Sequence, residues 1–350
     1  MNLAVFLPNW IGDAVMATPT LRALRNHFPA PARLIGVMRP AIAKALEGTS
    51  WLDEQILYDP KSKDRTMGSW SVVRQLRQSR LDTVVLLTNS LRTGLLAWMS
   101  GAPERVGYVR YGRGMLLTRK LYPPVDGRRL VPSPVLDYYL ELAHALGCPP
   151  ESAQMELVTS IEDERAADRA WKNLRLPHGQ QVVLLNSGGA YGAAKLWPSS
   201  YFATLAHKIA TELNHAVLVL CGPQERELAR EIVLGAAHPR VMSLADEPLG
   251  LGLSKACVRR SRLLVTTDSG PRHFAAAFDV PVITLFGPTH IAWSENHFER
   301  AVHLQRKLDC SPCQQRVCPL GHHRCMRDLS VDEVYRAVTA ELQKQHTQAA

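Results

Sequence analysis

A chain of 350 residues with 46% hydrophobic and 21% charged side chains is longer than one hydrophobic core serves and apolar enough to fold unaided, so two domains are expected. Its longest apolar runs, 83–88 and 216–221, fall far short of the roughly 20 residues that span a bilayer, which excludes a transmembrane helix. A formal charge of +9 asks for an anionic partner. The basic stretch Arg105, Arg110, Arg113, Arg119, Lys120, Arg128 and Arg129 has no RNA-binding signature around Tyr108 and Tyr111, so nucleic acid is set aside as the partner.

Met1 to Leu7 lacks a basic leader and a cleavage site, and reads as a first strand of a cytoplasmic protein. The apolar run 3–8, the turn Asn9-Trp10-Ile11-Gly12-Asp13 and helical spacing over 14–27 make a strand, a glycine loop and a helix. Strands at 33–37, 55–58 and 83–87 then alternate with helices at 40–47, 70–78 and 92–99. Such alternation implies a parallel sheet. After a polar stretch, 160–181, that holds a helix at 162–174, the pattern restarts. A strand at 182–185, a glycine loop at 187–192, a helix at 200–213, a strand at 216–220 and a helix at 224–234 come first. A strand at 263–266, a helix at 271–277 and a strand at 282–286 follow, and a last amphipathic helix covers 331–343. The fold class is therefore α/β, with two doubly wound Rossmann-like domains, 1–175 and 176–328, and a terminal helix, 329–350, with a structural role. Ligands of such sheets bind beyond the carboxyl ends of the strands, so the loops just named should face a cleft.

Three of these loops carry chemistry. In Asn9-Trp10-Ile11-Gly12-Asp13 the glycine lets the backbone turn before a helix, and Asp13 is either a helix cap or a base within reach of a hydroxyl. In Asn186-Ser187-Gly188-Gly189-Ala190-Tyr191-Gly192-Ala193-Ala194-Lys195, a glycine-rich nest precedes a lysine, a combination that suits phosphate oxygens but lacks the spacing of a P-loop. Lys195 has the alternative of being a solvated surface lysine. In Thr267-Asp268-Ser269-Gly270-Pro271-Arg272-His273 a strand ends and a helix opens with proline, leaving free amides for a diphosphate. Ser269 and His273 share a helical face four residues apart, although His273 could equally be a packed core residue.

Together and in this order, Asn9-Trp10-Ile11-Gly12-Asp13, Lys195-Leu196-Trp197-Pro198, Thr267 to His273 and Leu285-Phe286-Gly287-Pro288-Thr289 resemble the ADP-heptose:lipopolysaccharide heptosyltransferases. These are inverting glycosyltransferases of the GT-B fold, two Rossmann-like domains facing across a cleft, in which a C-terminal helix often crosses back to the first domain, as the resemblance implies for 329–350. The opening tryptophan loop and Gly101-Ala102-Pro103-Glu104-Arg105-Val106-Gly107-Tyr108 resemble heptosyltransferase II more than heptosyltransferase I.

The resemblance implies that the C-terminal half holds ADP-heptose and the N-terminal half the inner core of lipopolysaccharide. It matches Asp13 to the catalytic base, Lys195 to a donor-phosphate lysine, and Asp268, Ser269, Gly270 and His273 to the segment holding heptose and pyrophosphate. Ser187 and Gly188 belong to the same donor site, and the ribose contact stays open between Gln224 and Glu225. Asn9, Trp10, Arg92, Arg105, Arg110 and Arg113 are the candidate acceptor contacts, the arginines also facing an anionic inner-membrane surface. No cofactor is required for catalysis on this reading, and no Asp-x-Asp pair is present.

Cys310, Cys313, Cys318 and Cys325, with His322 and His323 inside the last interval, carry enough soft ligands for a closed structural zinc site; reduced thiols or an oxidised disulfide are the alternative. A transferase of another donor or acceptor, a non-catalytic sugar-nucleotide-binding protein and a basic zinc-bearing nucleic-acid module are the competing functions.

Overall fold

A computed structural model describes residues 1–127, 129–189 and 191–349, with side chains to residue 344; Arg128 of the basic stretch and Ala190 of the glycine loop lie outside the described residues. The chain divides into two units, Met1–Val158 with Ala292–His297, and Thr159–Ile291 with Phe298–Ala350.

In the first unit six parallel strands, β1 (Asn2–Phe6), β2 (Arg33–Met38), β3 (Glu54–Leu57), β4 (Thr83–Leu86), β5 (Glu104–Tyr108) and β6 (Arg119–Leu121), lie in the order β3-β2-β1-β4-β5-β6. A short antiparallel pair, β7 (Val125–Asp126) and β8 (Arg129–Leu130), follows. The second unit repeats the arrangement with β9 (Val182–Asn186), β10 (Ala216–Leu220), β11 (Val241–Ser243), β12 (Leu263–Thr267), β13 (Val282–Phe286) and β14 (Ala301–Gln305), ordered β11-β10-β9-β12-β13-β14. Both sheets are doubly wound: the chain steps outward from a central strand, returns, and continues on its other side. The central strands β1 and β9 are apolar and buried along most of their length, as strands covered on both faces must be. Above their carboxyl ends, between β1 and β4 and between β9 and β12, lie the two switch points where ligands of such folds bind.

Two local features differ from the sequence reading. The helix expected over 14–27 is two helices, Ile11–Met16 and Thr18–His27. Pro19 has no N–H to offer the carbonyl of Val15, and the Thr18 hydroxyl takes that carbonyl instead, at 2.7 Å. Residues 104–108, read as part of a motif, form β5, and the short or half-exposed strands β6, β11 and β14 add to the sheets.

The helix Ile161–Asn173, placed in the first half by the sequence reading, groups with the second unit. Asp163 is 3.1 Å from Lys255, both side chains essentially buried, and the same carboxylate accepts the N–H of Ser160 to cap its own helix. Gly252 makes room for it, since a Cβ there would meet Asp163 Oδ1 at 1.8 Å. The last helix, Val331–Ala349, lies against Ser199–Glu212 through Lys208 and Asp332 (3.0 Å), and the Trp197 indole donates to the Leu329 carbonyl just before it (2.9 Å).

Candidate active site

In the second unit the loops after β9, β12 and β13 meet. Lys195 Nζ donates to Asp268 Oδ2 (2.6 Å) and to the Asp268 carbonyl (3.0 Å), and its ammonium lies 4.3 Å from the Tyr191 ring centroid. Asp268 also accepts the Thr289 hydroxyl (2.8 Å) and faces Arg272, 3.6 Å away and fully buried. All of these charges sit at 9% exposure or less. Burial by itself would raise the Asp268 carboxyl, but the Lys195 and Arg272 charges overrule it and hold the group down at about 2. Two cations against one carboxylate leave a net positive charge at the switch point. His273, one turn into the helix Gly270–Ala277, is pushed well below its ordinary range by burial and then by the Arg272 charge, so it stands neutral.

The glycine loop is fixed by side chains on both sides. Asn186 donates to the hydroxyls of Thr266 and Ser269 (both 2.9 Å), and the Thr267 hydroxyl donates to the Gly188 carbonyl (2.9 Å). The Glu225 carboxylate accepts the N–H of Gly189 (3.0 Å) and of Gly222 (2.8 Å), joining the loops after β9 and β10. A Cβ at Gly188 would sit 2.0 Å from Glu225 Oε1, so a larger residue there would have to displace the carboxylate that joins the two loops. Of the pair left open by the sequence, Glu225 is thus the one built into the loop junction, while Gln224 is exposed. Ser187, Gly188, Lys195, Glu225, Asp268 and Ser269 all lie on these connected loops, and Gly270 and His273 lie in the first turn or so of the helix that follows them.

Sequence reasoning passed over Arg272, Thr289, Asn186 and Tyr191. Arg272 had a signal, its spacing of four from Asp268 on a helix start; Thr289 had none beyond its place in a quoted motif.

In the first unit the residue that caps the helix Ile11–Met16 is Trp10, in extended conformation, and Asp13 stands in the first turn. Asn9 and Trp10 are exposed and Asp13 is half-buried. Tyr139 lies close enough for the Asp13 charge to add to the burial that drives its phenol upward.

The four arginines assigned to the acceptor part company here. Arg113 is fully buried; its guanidinium donates to the Tyr108 carbonyl (2.9 Å), to Asn89 Oδ1 (3.0 Å) and to the Thr88 carbonyl, and burial draws it down to about 10. It pins the loops after β4 and β5 and does not reach solvent, contrary to its expected place on a basic face. Arg105 is half-buried and donates to Leu116 O (2.7 Å) and Ala102 O (2.5 Å). Arg92 is exposed, and Arg110 lies over the exposed Tyr111 ring at 5.0 Å.

The four clustered cysteines are free thiols that line one cavity of about 20 Å³ together with Ala194, Pro288 and His322. Among the described residues no three His, Cys, Asp or Glu side chains already stand in positions to share a metal ion.

The profile of glycosyltransferase family 9 (heptosyltransferase) matches residues 69–324. The chain belongs to this family. Like other members it is an enzyme, a glycosyltransferase, and its two parallel sheets are those of the GT-B heptosyltransferases. Lipooligosaccharide heptosyltransferase 2 of Campylobacter jejuni serotype O:6 is 26% identical over 344 residues, 97% of this chain and 98% of the relative. Lipopolysaccharide heptosyltransferase 2 of Escherichia coli K12 is 23% identical over an alignment of 380 residues, covering 98% and 99%. The solved ADP-heptose lipopolysaccharide heptosyltransferase II of E. coli superposes with a TM-score of 0.80 at 21% identity, covering 99% of this chain and all of that one. Lys195, Glu225, Asp268 and His273 fall inside the matched family segment and Asp13 falls before it.

Proposed function

We propose that this family 9 glycosyltransferase moves heptose from ADP-L-glycero-D-manno-heptose to the inner core of lipopolysaccharide with inversion, in the manner of heptosyltransferase II. The observation that carries the donor side is the buried cluster of Lys195, Arg272 and Asp268 at the β9/β12 switch point, next to the amides of Ser269 and Gly270 that open a helix. Its surplus positive charge and free N–H groups suit a diphosphate, and they stabilise the charge that develops as ADP departs.

The acceptor falls to the first unit, with Asp13 as general base. As the acceptor oxygen bonds to the anomeric carbon, its proton passes to the Asp13 carboxylate; the bond from that carbon to the phosphate oxygen breaks, and its electron pair leaves with ADP. A β-configured donor then yields an α-linked product. Lys195 and the helix amides supply the positive potential, so no metal ion enters this chemistry. Arg92, exposed, and Arg110, half-buried over the Tyr111 ring, are assigned to anionic groups of the acceptor and of the membrane that holds it. Among the described residues no helix is long and apolar enough to cross a membrane, which fits an enzyme that meets the cytoplasmic face peripherally.

The test is ADP release from ADP-heptose with an inner-core acceptor in EDTA, run beside Asp13→Ala. Release by the wild type alone, with heptose gained by the acceptor, is expected. A wild type that binds donor and never turns over across a panel of acceptors would reduce the protein to a sugar-nucleotide binder.

A further inference from the structure

Two neighbouring helices of the first unit, Ser69–Gln78 and Leu91–Met99, bury one face each in a shared core, through Val72, Val73 and Leu76 and through Leu96 and Ala97. Their opposite faces therefore look the same way, into solvent, and those faces are not purely polar. On the first helix Trp70, Arg74 and Arg77 recur at helical spacing and are exposed; on the second, Leu91, Leu95 and Trp98 do the same. Trp70 is 79% exposed and Trp98 55%. Arg77 Nε donates to the Met99 carbonyl (2.8 Å) and ties the two helices together, beside a groove of about 300 Å³ lined by Trp70, Val73, Arg74 and Met99.

A stripe of large apolar residues turned to solvent does nothing for the core beneath it and marks a contact surface. Charge says what it meets. From Arg65 to Tyr122 ten arginines and lysines stand against two carboxylates. Asp82 accepts the Asn2 N–H (2.6 Å), and Glu104 pairs with Arg119 (2.6 Å) and the Thr83 hydroxyl (3.0 Å), both at the amino ends of β4 and β5. The two helices themselves carry no acidic residue. Indole rings settle at the headgroup level of a bilayer and guanidinium groups pair with lipid phosphates, so this composition suits an anionic lipid surface. A soluble polyanion would use the arginines and leave Leu91, Leu95 and the tryptophans in water.

We propose that the outer face of these two helices docks the enzyme on the surface of an anionic phospholipid bilayer. Trp70, Leu91, Leu95 and Trp98 enter the headgroup region, and Arg74, Arg77 and Arg92 meet lipid phosphates. Met115, 91% exposed on the turn Arg113–Leu116 that packs on Gly94 of the second helix, extends the apolar surface. The docking face rests on the membrane contact of the reading above and is independent of the transfer chemistry, since Trp70, Arg74 and Trp98 have no place in the donor or acceptor sites.

Flotation of the full chain with vesicles tests the face, comparing phosphatidylcholine containing phosphatidylglycerol with phosphatidylcholine alone, both free of lipopolysaccharide. Binding to the anionic vesicles only, weakened by salt, is expected. Trp70→Ser/Trp98→Ser should weaken it by about tenfold or more, because two large apolar side chains no longer leave water. Arg74→Glu, a change of two charges, should do so to a similar extent. ADP affinity retained in each variant shows that the fold and the donor site survive. Because the vesicles carry neither donor nor acceptor, a protein that docks yet transfers no heptose loses the reading above and keeps this one. A wild type that ignores anionic vesicles at low salt, or binds neutral ones equally, overturns the proposal. Variants that bind vesicles like the wild type also overturn it, and if the tryptophan changes instead dissolve a dimer, the face belongs to a second copy of the chain.

Discussion

The two sheets share one strand order, yet their switch points are furnished in opposite ways. Above β9 and β12, Lys195, Arg272, Asp268 and Thr289 form a buried, mutually bonded cluster already set in place. After β1 the half-buried carboxylate of Asp13 follows exposed Asn9 and Trp10, and Arg113, one of the four arginines expected to face the acceptor, holds the loops after β4 and β5 together. The frame is the same and the loops make the difference: one tip is built to hold fixed charge in a dry setting, the other to present one group to a variable partner.

The largest effect on turnover is expected from Asp13→Asn. It should lower kcat by about 10²–10⁴ while calorimetry finds ADP binding unchanged, the signature of a base that acts on the acceptor. Weakened ADP binding would move Asp13 to the donor side. Lys195→Ala should cost about 10²–10³ in kcat/KM and weaken ADP binding as well, since it removes a fixed charge from the donor tip. Unaltered ADP affinity would reduce Lys195 to a structural partner of Asp268.

Asp268→Ala leaves Lys195 and Arg272 buried without their counter-charge and should destabilise the protein by about 3–5 kcal/mol in urea unfolding. Arg113→Ala should cost about 2–4 kcal/mol through orphaned carbonyls and a cavity. Arg110→Ala, three positions earlier and only half-buried, should change stability far less and raise mainly the acceptor KM, a few-fold; equal stability losses from both arginines would contradict the structural role of Arg113.

The smallest effect is in pH. His273 is held below its unfolded value, so its neutral form contributes stability in full above about 6.5, and that contribution declines as the unfolded chain gains protons below it, by about 1.4 kcal/mol per pH unit. Asp268, also depressed, keeps its contribution above its unfolded value near 3.8 and loses it as pH falls toward about 2. His273→Gln should therefore flatten the urea midpoint between pH 7 and 5.5 and leave the acid limb below pH 4 intact.

The doubly wound architecture was legible in the sequence because fully buried strands are short, continuous apolar runs and the glycine loops punctuate them at each return. The positions of the loops proposed to hold the donor were legible for the same reason: Ser187 to Lys195 and Thr267 to His273 stand at strand ends, where this fold puts ligands whatever the side chains do. Edge strands such as β6 and β14 were not, since a half-exposed strand has no apolar run to announce it.

Pairing was beyond the sequence. That Lys195 and Asp268, 73 positions apart, pair with each other, that Glu225 and not Gln224 clasps the Gly189 and Gly222 amides, that Arg113 is fully buried while Arg92 is exposed, and that four cysteines reach one cavity are facts of tertiary placement. Periodicity and turn chemistry are local and can be read along the chain. The charge state and partner of a buried group depend on what distant segments bring within a few ångströms of it, and only the folded chain decides that.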